Sequence, residues 1–265
     1  GSFFIIQFVL CVIVSLRVVF YMIVFSVAMY YNEAKNMPAV ENILPPLMQA
    51  SLYADYSTNL FSISMTFFLS LNRCLHFVSK KWSNILFEGF HLLGTMLLNG
   101  LLAIVGAIGI IETSGVSRNY YIGFGFLDTG PDTGFKVDIN RSFTVFLVGS
   151  IVCYVVLFLH LRKQNALVFQ KSEMIKRGET RVFALLVIIT LLYAALYIQY
   201  EAISNIDWDA NSDPAPLLAW LNILKITNYL PEIFLPVFFV ADNFNLIGRI
   251  RQLFRPATES RRIST

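Results

Sequence analysis

Six apolar blocks divide the chain, and short polar stretches separate them. Each block has about the 20 residues that a helix needs to cross a bilayer core. The apolar residues run continuously and do not alternate as they would in a membrane β-strand. Because lipid offers the backbone no hydrogen-bond partners, the pattern predicts transmembrane helices. The predicted spans cover residues 3–31, 46–78, 90–111, 142–161, 182–203 and 216–241.

The distribution of basic residues predicts the orientation of these spans. The stretches that follow the second, fourth and sixth spans hold 13 Lys and Arg residues, whereas those that follow the first, third and fifth hold 4. Cytoplasmic loops carry the excess of Lys and Arg, so we place the first set in the cytoplasm. Since the number of spans is even, both termini are expected on that side.

The predicted fold is therefore all-α, with one polytopic membrane domain over residues 1–265. After the last span, apolar residues recur at helical spacing among arginines. This spacing predicts a short amphipathic helix at about residues 243–254, lying in the interface of the inner leaflet, with a tail at 255–265.

The composition supports a membrane protein and excludes several other classes. The 265-residue chain is 56% hydrophobic and 14% charged, whereas a soluble domain is about 45–50% apolar and about 25% charged. A net charge of +3 implies no nucleic-acid partner. The three histidines lack metal-ligand spacing, and no residues are arranged for catalysis. We therefore expect no enzyme activity, no metal and no cofactor, with the lipid bilayer as a partner.

Six charged residues fall inside the predicted spans, where a charge is costly unless it faces the bundle interior or a water-filled cavity. They are Arg17, Asp55, Arg73, Glu201, Lys225 and Glu232. By depth, Asp55 can meet Arg17 or Lys225 in the outer half of the membrane. Two interpretations stay open: an internal ion pair that ties helices together, and a ligand site in an outward-facing pocket. The candidate ligand-binding residues are Arg17, Asp55, Glu201 and Lys225.

The second span ends at its cytoplasmic side in Asn72-Arg73-Cys74. Asp55 and Arg73 are 18 residues apart, which is about five helical turns, so they share a helix face at a separation of about 27 Å. That geometry suits a helix that links an outer pocket to an inner switch. The alternative is that Arg73 only anchors the helix by snorkelling to the interface.

Five short stretches carry a family resemblance over most of the chain. They are Ser70–Ser79 (SLNRCLHFVS), Phe126–Gly130 (FLDTG), Asn140-Arg141, Cys153-Tyr154 and Leu159–Gln164 (LHLRKQ). With the predicted spans, they resemble the nematode serpentine chemoreceptors of the seven-helix G-protein-coupled receptor superfamily, most nearly class Xa. The resemblance implies a receptor in the plasma membrane of sensory neurons that binds a small molecule and signals to a heterotrimeric G protein.

The resemblance also implies which residues contact the G protein: Asn72, Arg73 and Cys74, together with Arg177 in the predicted cytoplasmic loop 162–181. Because the family has seven spans, the chain is expected to lack the first family helix. Two alternatives stay open. One is a transporter or channel that uses Arg17, Asp55 and Lys225 as a charged path. The other is a truncated, non-signalling receptor product retained in the endoplasmic reticulum.

Overall fold

The structure, a computed structural model, is mostly helical. It describes residues 2–34, 42–122, 125–131, 134–167, 187–199 and 201–202, together with positions 220, 221, 223, 224, 227, 230 and 234. The elements, in chain order, are α1 (Ser2–Ala34), α2 (Leu44–Val78), α3 (Lys80–Phe87), α4 (Phe90–Ser114), β1 (Ser117–Tyr121), β2 (Gly125–Thr129), α5 (Gly134–Leu167) and α6 (Val187–Gln199).

Helix α2 lies at the centre of the described bundle, and α1, α4 and α5 all pack against it. It begins at Leu44 with two prolines in its first turn, where their missing amide hydrogens cost nothing. Its 35 residues span about 52 Å, which is longer than a bilayer core. Both ends of α2 can therefore reach polar surroundings while its middle stays among the other helices.

Three of the described helices are long and apolar enough to cross a membrane: Ser2–Tyr31, Phe90–Ser114 and Gly134–His160. In α4 many large apolar side chains point outward, with Leu101 59% exposed, whereas Asn99, Ala103 and Ala107 are buried. Lipid contact favours a helix that buries small and polar residues against its neighbours and exposes large apolar ones. The described helices thus mark the chain as a membrane-associated protein.

These three helices match the first, third and fourth predicted spans. The second predicted span forms α2, which is helical as expected but too polar to meet the same criterion. The fifth is described as the shorter apolar helix α6. Most of 216–241 and all of 243–254 lie outside the described residues, so six spans and the interfacial helix stay predictions.

A two-stranded antiparallel hairpin departs from the all-α prediction. Strands β1 and β2 pair in a register that runs from Ser117 opposite Thr129 to Tyr121 opposite Gly125. Gly115, in the left-handed conformation at φ 56°, ends α4 just before β1. Because the strands are only five residues long, their alternation was too short to be recognised within a polar stretch.

The hairpin covers one end of the helices, which we call the hairpin end. The rings of Tyr120 and Phe126 meet Tyr21 and Phe25 of α1 edge to face there. At the opposite end, which we call the α3 end, α3 follows α2 after an extended Ser79. The distribution of basic residues predicts that the hairpin end is outside and the α3 end is in the cytoplasm.

Candidate functional site

Two arginines converge on Asp55 at the hairpin end. Arg17 of α1 donates from Nε to Oδ1 of Asp55 at 2.7 Å, and Arg118 of β1 donates from Nη1 to Oδ2 at 2.5 Å. All three residues are buried, with exposed fractions of 4% for Arg17, 6% for Asp55 and 7% for Arg118. Asp55 therefore joins α1, α2 and the hairpin through one carboxylate.

Arg118 is held on a second side by the other strand of the hairpin. The register places it opposite Asp128, and its Nε and Nη2 donate to the two carboxylate oxygens of Asp128 at 2.8 and 2.9 Å. Ser51 of α2 accepts a further hydrogen bond from Nη1 at 3.1 Å. We call Arg17, Asp55, Arg118 and Asp128 the four-charge cluster. Its formal charges cancel, which is what a buried ionic group requires.

The surroundings of Arg118 keep it charged. Burial alone would lower the pKa of its guanidinium, but hydrogen bonds and charges from Asp128 and Asp55 outweigh burial and raise that pKa above its usual range. Arg118 also lies over the ring of Phe126, 5.5 Å from its centroid. The hairpin is therefore attached to the helices by a permanent positive charge.

The contact between Arg17 and Asp55 agrees with the ion pair expected from depth. The sequence analysis missed Arg118, because the pairing of β1 with β2 was not recognised. The signal was a basic and an acidic residue, ten positions apart, in two short segments rich in aromatic residues. Opposite charges at paired strand positions stabilise each other.

Glu201 lies away from the four-charge cluster. Its carboxylate accepts hydrogen bonds from Arg141 of α5 at 3.0 and 3.1 Å, and from the hydroxyl of Tyr197 at 3.0 Å. The structure thus brings two of the four candidate ligand-binding residues together, Arg17 and Asp55. Lys225 lies outside the described residues, as does Arg177 of the proposed coupling set.

A small cavity lies one helical turn below Asp55, between α2, α5 and α6. Its volume is about 50 Å³, and its polar lining includes Asn59, Asn140, Thr144, Tyr193 and Tyr197. Within the described part of the chain, the side-chain oxygen of Asn59 is buried and accepts no hydrogen bond. Such an oxygen costs free energy until a donor reaches it. We call this space the Asn59 cavity.

The three residues at the end of α2 are placed differently from one another. The amide nitrogen of Asn72 donates to the hydroxyl of Ser2 at 2.9 Å, and the guanidinium of Arg73 lies 3.7 Å from the centroid of the Phe3 ring. Cys74 is buried, and its thiol lies close to that of the buried Cys153 on α5. Asn72 and Arg73 therefore hold the start of α1 against α2.

The described residues contain no group of three His, Cys, Asp or Glu side chains that could hold a metal ion. A comparison of the sequence with protein-family models and with curated proteins finds no match. The candidate site therefore consists of the four-charge cluster and the Asn59 cavity near the hairpin end and of Asn72-Arg73-Cys74 near the α3 end.

Proposed function

We propose that the chain is a chemosensory receptor of the G-protein-coupled superfamily, which binds a small molecule near the hairpin end and signals to a heterotrimeric G protein at the α3 end. The resemblance to serpentine chemoreceptors supports the class of protein. The apolar helices support its place in a membrane. The observation that carries the ligand site is the buried oxygen of Asn59, a residue that lines the cavity and whose oxygen accepts no hydrogen bond from the described residues.

The Asn59 cavity is a better ligand site than the four-charge cluster. Both oxygens of Asp55 already accept hydrogen bonds from arginines, so a ligand would have to displace a buried guanidinium. Asn59 has an open acceptor one turn away on the same helix. In this proposal Arg17 and Asp55 hold the hairpin over the Asn59 cavity, and Glu201 positions Tyr197 in the wall of that cavity.

The lining indicates the chemical class of ligand. Apolar side chains of Phe143, Leu147 and Leu196 line the cavity together with Asn59. The ligand is therefore a small, mostly apolar molecule with one hydrogen-bond donor, such as an alcohol or an amine. The cavity of about 50 Å³ holds only a few atoms. A larger ligand must move α6 away from α2 and α5. It would thereby favour a conformation in which these helices are apart over the one in which they are in contact.

Helix α2 provides the connection between the two ends. Asn59 and Arg73 are 14 residues apart, or about 21 Å along the helix axis. Arg73 contacts α1 through Phe3, and Cys74 contacts α5 through Cys153. A shift of α5 or α6 at the cavity would therefore change the packing of α2 against its neighbours at the end where the G protein is proposed to bind.

The test is G-protein recruitment in cells that display the chain on their surface, measured against a panel of small alcohols and amines. We expect Asn59→Ala to lower the potency of an active ligand about tenfold, because one buried hydrogen bond is lost. Asn99→Ala is the matched control. Asn99 is a buried asparagine of α4 that donates to the backbone of Thr95 and does not line the cavity, so potency should stay unchanged.

Two results would contradict the proposal. The first is correct surface display with no G-protein response to any member of the panel. The second is a ligand-dependent current or flux without a G protein, which would favour a transporter or channel. Equal losses in Asn59→Ala and Asn99→Ala would place the ligand elsewhere while leaving the receptor class intact.

A further inference from the structure

A cleft of about 540 Å³ opens at the α3 end, between α1, α2, α3 and α4. Part of its lining is polar and basic, with Arg73 and His76 from α2 and Lys80 from α3. Apolar side chains, including Phe3 and Leu92, also line the cleft, and the guanidinium of Arg73 lies against the Phe3 ring. A cleft lined by both cationic and apolar side chains suits a ligand that is itself anionic at one end and apolar at the other.

The residues around this cleft mark it as lying at a membrane surface. Trp82, Ile85 and Leu86 of α3 are 57%, 46% and 40% exposed, and Phe90 at the start of α4 is 84% exposed. Tryptophan is enriched where lipid headgroups meet water, and a short helix with exposed apolar and basic residues lies in that interface. Helix α3 would therefore place the mouth of the cleft among lipid headgroups.

The balance of charge favours an anion in the cleft. Arg73 and Lys80 bring two positive charges, and among the described residues of the lining Glu88 alone is acidic. The carboxylate of Glu88 lies beside Asn84, whose amide nitrogen can donate to it at 3.2 Å when the amide is turned. Because the α3 end is predicted to face the cytoplasm, the cleft opens to the leaflet that carries anionic phospholipids.

We propose that this cleft binds an anionic phospholipid of the inner leaflet. The lipid phosphate lies against Arg73 and Lys80, and the start of an acyl chain lies along Phe3 and Leu92. The proposal depends on the predicted membrane orientation and not on the Asn59 cavity, so either can fail without the other. Basic clefts between membrane helices on the cytoplasmic side commonly recognise lipid phosphates.

The test uses the full chain, purified in detergent and titrated with dioctanoyl phosphatidylserine while native mass spectrometry records bound lipid. We expect dioctanoyl phosphatidylcholine to bind at least about tenfold more weakly than phosphatidylserine. Lys80→Gln should weaken phosphatidylserine binding about fivefold, as expected for one basic residue at a membrane surface. Lys81→Gln is the matched control. This neighbouring lysine is exposed and does not line the cleft, so binding should be unchanged.

Three results would overturn the proposal. Equal binding of both lipids would show that the headgroup charge is not recognised. An equal loss in Lys80→Gln and Lys81→Gln would show attraction to the surface rather than to the cleft. Complete competition by inorganic phosphate at similar concentration would show a site for a free anion. Since Lys80 is exposed, its substitution should leave the fold intact, and circular dichroism checks this.

Discussion

Helices α2 and α4 are neighbours, and both were predicted to cross the membrane, but their buried faces differ in polarity. The buried face of α2 is rich in hydroxyl and amide groups, among them Ser62, Ser70 and Asn72. Helix α4 exposes large apolar residues, and most of the residues that it buries are apolar, among them Ala103 and Ile110. The difference follows from position, because among the described elements α2 packs against α1, α4 and α5, whereas α4 packs mainly against α2.

The comparison shows what hydropathy measures. Hydropathy predicts that a helix spans the membrane when its side chains suit lipid, and α4 meets that condition on its exposed side. Many hydroxyls of α2 donate to carbonyls of their own helix, as Ser70 does to Thr66 at 2.8 Å, and so need no water. A central helix can therefore be polar without being unstable in a membrane. Three predictions test this distinction.

The largest expected effect comes from removing the charge that α2 buries. Asp55→Ala leaves Arg17 and Arg118 facing each other without a shared carboxylate. We expect a loss of about 3–5 kcal/mol in the free energy of unfolding, as is typical when one partner of a buried ion pair is removed. Thermal unfolding in detergent, monitored by size-exclusion chromatography, measures this loss of stability.

The control for Asp55→Ala is Glu112→Ala. The carboxylate of Glu112 at the exposed end of α4 accepts a hydrogen bond from Tyr53 of α2. Exposed contacts of this kind contribute about 1 kcal/mol or less. Equal destabilisation by both variants would mean that the four-charge cluster does not join the elements. Asp55→Asn adds a second readout, since reduced stability with unchanged ligand potency assigns Asp55 a structural role.

A lysine on the exposed side of α4 should produce the next largest effect. Leu101 lies near the middle of α4 and is 59% exposed. If that side faces lipid, Leu101→Lys should make insertion of α4 less favourable by about 3 kcal/mol. Insertion of α4 within the full chain into microsomes, read from a glycosylation tag, gives the value. Leu101→Phe should insert as well as the parent, and a tolerated lysine would mean that lipid does not cover this side.

The smallest effect concerns the packing of α2 against α5. A Cβ atom on Gly149 would lie 2.6 Å from the ring of Phe67, whereas one on Gly94 would meet nothing within 4 Å. We expect Gly149→Ala to destabilise the bundle by about 1–2 kcal/mol through overpacking. Gly94→Ala should be neutral or stabilising by up to about 1 kcal/mol. The melting temperatures of the two variants test this expectation. An equal change in both would contradict the close approach of α2 and α5.

Local patterns were enough to predict α1, α2 and α4, whose ends lie within three residues of the predicted spans, whereas α5 begins at Gly134, eight residues before the predicted start at 142. Continuous apolar runs must become helices in lipid, and depth along a helix follows from counting residues. The same counting brought Arg17 to the level of Asp55. The hairpin was missed because five-residue strands show too little alternation, and α3 was missed because its eight residues are short and mixed in character.

The partners of Asp55 and the two cavities could not be read from local patterns, because they depend on which helix faces meet. Arg118 reaches Asp55 across 63 positions of sequence, through a strand register and the docking of the hairpin on α1. The Asn59 cavity exists where α2, α5 and α6 fail to fill the space between them. Successive residues lie about 100° apart around the helix axis. An error in the predicted rotation of a helix about that axis would therefore exchange its buried and exposed side chains.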